Sequence, residues 1–140
     1  MSETIHASCV AIAGRGVLIA GPSGSGKSDL ALRLLDRGAV LVSDDYTIVE
    51  AAGGRLLASA PESIAGRIEV RGVGILERPF TAELPVALFI DLAGTPERLP
   101  EPQHRTIAET PIPSIALAAL EASAPIKVEA ALLVHGLTFS

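Results

Sequence analysis

The chain has no tryptophan, one cysteine, one methionine, one tyrosine and three phenylalanines, so aromatics make up 3% of its 140 residues. Large rings cannot build the core. It must be assembled from Ala, Val, Leu and Ile, in a sequence that is 49% apolar, and such a composition favours layered α/β packing. The lone Cys9 excludes an intramolecular disulfide and, within "HASCVAIAG", reads as a small buried hydrophobe. Positive charge is also scarce. With 11 Lys and Arg against 16 Asp and Glu, the net charge of -5 argues against a surface that grips a nucleic-acid backbone. No apolar run reaches the ~18 residues of a membrane-spanning helix, and the start of the chain lacks the pattern of a secretory signal. These absences predict a cytoplasmic protein with neither a nucleic-acid nor a membrane partner. The length suits a single domain with one core.

Patterning along the chain predicts the elements. "TIHASCVAIA" and "GVLIA" are β-branched apolar runs parted by "GRG", the mark of a hairpin. From Lys27, apolar Leu30, Ala31, Leu34 and Leu35 recur at helical spacing, with Gly38 suited to end the helix. "AVLVSDD" reads as a buried strand closing on two acids, and "YTIVEAAGGRLLASA" as a hairpin turning at Gly53 and Gly54. Pro61 opens a short helical turn. "RIEVRGVGILERPF" reads as a strand end passing into a loop, and "LPVALFIDLAG" as a central strand. The five prolines of "TPERLPEPQHRTIAETPIP" predict a surface loop. After it, residues 112–136 read as one or two helices broken at Pro125.

The chemistry begins at "GPSGSGKS", the stretch Gly21, Pro22, Ser23, Gly24, Ser25, Gly26, Lys27 and Ser28. Between a strand and a helix N-terminus, such a glycine loop presents backbone N–H groups with no side chains in the way, a cradle for polyphosphate. Lys27 is placed to reach the β- and γ-phosphates and Ser28 to ligate Mg2+, so ATP and Mg2+ are the expected ligands. A glycine–serine loop that merely caps a helix would share this composition. Asp44 and Asp45 end the following strand, on the edge where α/β sheets place their ligands. One can serve the metal and the other accept a proton, although on an ideal strand adjacent carboxylates point to opposite sides. Glu69 is a further metal candidate and Arg71 a phosphate candidate, but alternate charges on a strand also form an ordinary solvated face.

In order and spacing, "GPSGSGKS", "RGAVLVSDD" and "IEVRGVGI" resemble the nucleotide loop, paired-aspartate strand and E-x-R-G-x-G-I signature of HPr kinase/phosphorylase. The signature here comprises Glu69, Val70, Arg71, Gly72, Val73 and Gly74, and the resemblance runs from Ile5 to Glu77. It implies a phosphate-loop α/β fold, with a mixed sheet flanked by helices, in a short, catalytic-only form. It also implies ATP-dependent phosphorylation of a serine on HPr, the phosphocarrier of the sugar phosphotransferase system. By position, the resemblance makes Lys27 an active-site residue, Ser28, Asp44 and Glu69 the metal side, and Asp45 the proton acceptor. His6 stands for the active-site histidine, followed here by Ala7 instead of glycine, and Arg98 in "PERLPEP" for a late active-site arginine. "PIPSIAL" occupies the place of the family's P-G-R-N stretch, associated with dephosphorylation, which leaves reversal by inorganic phosphate open. Family members assemble into hexamers, so a homo-oligomer is implied. A small-molecule kinase and a non-catalytic nucleotide-binding module remain alternatives.

Overall fold

A computed structural model of the chain describes residues 2–139. Eleven strands and two α-helices follow in the order β1 Ser2–Ile5, β2 Ala7–Ile12, β3 Arg15–Ala20, α1 Lys27–Asp36, β4 Val40–Ser43, β5 Thr47–Ala52, β6 Arg55–Ser59, β7 Arg67–Val70, β8 Gly74–Glu77, β9 Leu84–Asp91, β10 Gln103–Ile107, β11 Thr110–Ala116 and α2 Ala124–His135. Nine strands form one mixed sheet in the order β1-β5-β6-β9-β3-β2-β4, with β11 also paired to β9 and β10 to β11. Among the described strand pairs, only β3–β9 and β9–β11 are parallel. The β7–β8 hairpin stands apart as its own two-stranded sheet.

Strand alternation divides the core in two. Val10, Val17, Ile19, Leu88 and Ile90 face both helices and pack on Leu30, Leu34, Val128 and Leu132. Their neighbours Cys9, Leu18 and Phe89 face the other way, against Val49, Leu56, Ile107 and Ile112 from other strands. The helices therefore cover one face of the mixed sheet, in keeping with the expected sheet flanked by helices, and the second core is filled mainly by strands. Cys9 is fully buried, and burial pushes its thiol up to about 12, as suits a small hydrophobe.

The predicted helix is present as α1, and its end is built around Gly38. This residue has φ +104°, and the N–H groups of Gly38 and Ala39 donate to Leu35 and Leu34 carbonyls at 3.0 and 3.1 Å. A Cβ at Gly38 would meet nothing within 4 Å. Gly38→Ala is therefore expected to cost about 1 kcal/mol through backbone conformation alone. The urea midpoint checks this, and an unchanged midpoint would contradict it.

Four expectations fail. The run from Thr4 to Ala13 is not one strand: it breaks at His6, with β1 pairing with β5 and β2 with β3 and β4. Residues 103–116, read as loop and helix, form the β10–β11 hairpin. Pro111 and Pro113 are tolerated because they precede Ser114, where pairing with β9 begins. Finally, Pro125 lies in the first turn of α2, where its missing N–H breaks no helical bond, so it opens the helix instead of dividing one. The segment after Gly72 also differs from a plain loop. The chain turns back at Gly72 (φ +84°) and pairs with itself as β8.

Candidate active site

The loop from Gly21 to Gly26 joins the C-terminal end of β3 to α1. Gly24 and Gly26 have φ +83° and +98°, and a Cβ at Gly26 would come within 3.1 Å of the Ala119 methyl. The loop closes on itself through Ser25 N–H donating to the Pro22 carbonyl at 3.0 Å. Gly26 caps α1 without a side chain, so the first-turn amides of the helix have no side-chain acceptor. Such amides, with the positive end of the helix dipole, attract anions. Ser25 Oγ is buried in the loop with no hydrogen-bond partner.

Lys27 is 5% exposed, an uncommon state for an ammonium. Its Nζ donates to the Gly21 and Pro22 carbonyls at 2.9 and 3.2 Å, and Asp45 Oδ1 lies 3.9 Å away. The lysine thus folds back over the loop that precedes it.

The chain leaves β4 at Ser43, and this departure resolves the difficulty of adjacent carboxylates. Asp45 takes φ +68°, a left-handed conformation that aspartate tolerates better than most residues. Ser43 Oγ donates to the Tyr46 carbonyl, closing the turn around both acids. Asp44 then accepts from Ser28 Oγ at 2.6 Å, while Asp45 meets Lys27 and also His6 Nε2, the latter at 2.8 Å. His6 lies at the break between β1 and β2, with its ring stacked on Tyr46 at a centroid distance of 5.0 Å.

Asp44 is buried and fully engaged. Its Oδ1 accepts from Ser8 Oγ at 3.1 Å as well as from Ser28, and its Oδ2 accepts from the Glu69 N–H at 3.1 Å. The β7–β8 hairpin therefore reaches the site through its backbone. The Glu69 side chain is exposed, as is that of Arg71. Val70 ends β7, Arg71, Gly72 and Val73 form the turn, and Gly74 begins β8, with Val73 N–H donating to the Val70 carbonyl at 2.9 Å.

No group of three or more His, Cys, Asp or Glu side chains able to hold a metal occurs among the described residues. The hydroxyl–carboxylate pair of Ser28 and Asp44 nevertheless suits Mg2+, which binds alongside phosphates through one or two protein oxygens and keeps several waters.

Arg98 sits on the exposed stretch between β9 and β10 and makes no hydrogen bond or ion pair with the described residues. Arg105 on β10 borders the same cavity as His6. Its guanidinium is 3.4 Å from Asp91 Oδ2, at the end of the strand beside β3, and 4.4 Å above the Phe89 ring. It shares the lining of a cavity of about 300 Å³ with His6, Glu3 and Phe89. Sequence reading missed Arg105 because its segment looked like loop. It also missed Ser8, although a lone hydroxyl in an apolar strand was a usable signal.

Comparison with known proteins identifies the family. The sequence profile of the HPr serine kinase C-terminal domain matches residues 1–81. A protein from Clostridium tetani named HPr kinase/phosphorylase is 41% identical over 90 residues, which is 64% of this chain and 30% of that protein. One of the same name from Brevibacillus brevis is 53% identical over 76 residues, 54% of this chain and 24% of that protein. The matched region thus spans less than a third of the length of either relative. A solved structure, described as the Hpr(Ser) kinase/phosphatase from Coxiella burnetii, superposes with a TM-score of 0.80 at 28% identity, covering 94% of each chain. With more than half of its length matched by the profile, the chain belongs to the HPr serine kinase C-terminal domain family.

Proposed function

We propose that the chain is a single catalytic domain that transfers the γ-phosphoryl group of ATP to a serine of an HPr-like phosphocarrier protein. One observation carries the reading: Lys27, Ser28, Asp44, Asp45 and His6 meet at the end of a glycine loop, with both carboxylates turned to the same side. The uncapped amides of α1 and the unpartnered Ser25 hydroxyl support a polyphosphate in that loop. The names of the relatives supply the acceptor.

In this mechanism the loop amides and Lys27 bind the phosphates and offset charge spread over their oxygens. Ser28 and Asp44, with Glu69 as a further candidate, would hold Mg2+, which supplies additional charge neutralisation at the phosphates. Asp45 orients the acceptor hydroxyl and takes its proton. The serine oxygen–phosphorus bond forms as the bond from phosphorus to the bridging oxygen breaks, ADP leaves, and the proton passes from Asp45 toward His6 or solvent. Arg98 is assigned to the active site only by resemblance.

Incubation with ATP, Mg2+ and purified HPr, followed by intact-mass measurement, is expected to show one added phosphate on HPr. Nucleotide binding without that gain would overturn the kinase reading in favour of a regulatory module. A parallel reaction of phosphoseryl-HPr with inorganic phosphate tests reversal. In the same buffer, a sedimentation profile of the protein tests the hexamer implied by the family.

A further inference from the structure

We propose that Ser8 is the positioning residue that holds both candidate carboxylates in working geometry, by one hydroxyl shared between the Asp44 side chain and the Asp45 backbone. The kinetic part of this inference rests on the phosphoryl-transfer reading above.

Ser8 is fully buried on β2. Its Oγ donates to Asp44 Oδ1 at 3.1 Å and accepts from the Asp45 N–H at 3.0 Å. The two roles are unambiguous, because an ionised carboxylate only accepts and a backbone N–H only donates. A hydroxyl can do both at once. Pairing explains the placement: Cys9 lies opposite Ser43, so Ser8 meets the chain where it leaves β4, just before the β2–β4 register shifts between Cys9 and Val10.

The break before β2 and the start of β2 therefore hold Asp45 twice, by side chain through His6 and by main chain through Ser8. The second hold matters because Asp45 is in the left-handed conformation, φ +68°, that turns its carboxylate toward Lys27. Asp44 Oδ1 has two hydroxyl donors, Ser28 and Ser8. Ser28 is also the candidate metal ligand, so Ser8 is the hydroxyl donor that holds Asp44 without serving the metal. It orients Asp44 much as groups behind metal ligands commonly do. A small apolar residue would fill the space and make neither bond.

The test compares wild type, Ser8→Ala and the hydroxyl-retaining Ser8→Thr, with melting curves for each. Mn2+ binding is titrated by electron paramagnetic resonance in the presence of a non-hydrolysable ATP analogue, and transfer to HPr is measured in parallel. Ser8→Ala is expected to weaken Mn2+ affinity and lower kcat by about 10-fold or more, with the KM for HPr unchanged and Ser8→Thr restoring most of both. Lower melting with wild-type Mn2+ affinity and kcat would reduce Ser8 to a packing residue and overturn the proposal. Should Ser8→Ala not fold, Ser8→Cys, of similar size but a weaker donor, takes its place with the same expectations. If wild type takes up Mn2+ but does not phosphorylate HPr, the kinase reading falls and the Mn2+ titration alone decides Ser8. Wild type that takes up no Mn2+ overturns both.

Discussion

Asp45→Asn is expected to lower kcat for transfer to HPr by about 10²- to 10⁴-fold, the usual worth of a positioned general base, while nucleotide affinity stays near wild type. Asparagine keeps the size and planarity of the side chain and accepts the left-handed backbone that Asp45 adopts at φ +68°. Its N–H can still donate to Ser8 Oγ. The fold should therefore persist, as a matching melting curve would show. What is lost is the ability to take a proton, together with the charge that faces His6 at 2.8 Å and Lys27 at 3.9 Å. Steady-state kinetics with HPr as the varied substrate separate this from an effect on binding: kcat should fall and KM should not. A kcat within threefold of wild type would remove Asp45 from the role of base.

The parts of the fold that were legible before the structure are those where local chemistry and tertiary placement agree. The apolar spacing of α1, the Gly53–Gly54 turn and the eight-residue run of β9 announce themselves, because a helix face, a turn needing positive φ and a buried strand each demand particular residues. The β10–β11 hairpin had no such sign. Its turn places Ala108 and Glu109 at φ +46° and +65°, a conformation usually marked by glycine or asparagine, and two prolines obscure the strand that follows. Tertiary pairing to β9 overrides the local preference. The other strand of the missed hairpin, β10, carries Arg105, so the same misreading hid the guanidinium that lines the cavity beside His6.

At the site, residue types were legible and their directions were not. An ideal strand would have sent Asp44 and Asp45 to opposite sides, and nothing in "SDDY" says that the strand stops at Ser43 and turns left-handed two residues later. Glu69 shows the same gap between identity and orientation. Its carboxylate makes it a metal candidate by sequence, yet the group through which it touches Asp44 is its backbone N–H.

Lys27→Ala is expected to lower kcat/KM for ATP by about 10³-fold, at the upper end of what loss of one preorganised electrostatic donor costs. The ammonium has three protons, two of which are spent on the Gly21 and Pro22 carbonyls, and it lies beside Asp45. A polyphosphate in the loop would draw it from those neutral acceptors to charged oxygens, a stronger class of hydrogen bond. Arginine is no substitute, because the planar guanidinium needs more room than this nearly closed position provides. Loss of fold is not expected, since the carbonyls that lose their donor belong to half-buried Gly21 and exposed Pro22, and Asp45 is itself half-exposed, so water can take the place of the ammonium, and a melting curve within a few degrees of wild type would show this. Combining Lys27→Ala with Asp45→Asn gives the sharper result. The two groups are 3.9 Å apart and in the proposed mechanism act on opposite ends of one transfer, so their effects should fall well short of additive. Full additivity would mean that they serve separate events, and a Lys27→Ala enzyme retaining a tenth of wild-type kcat/KM would mean that the loop does not hold the transferring phosphate at all.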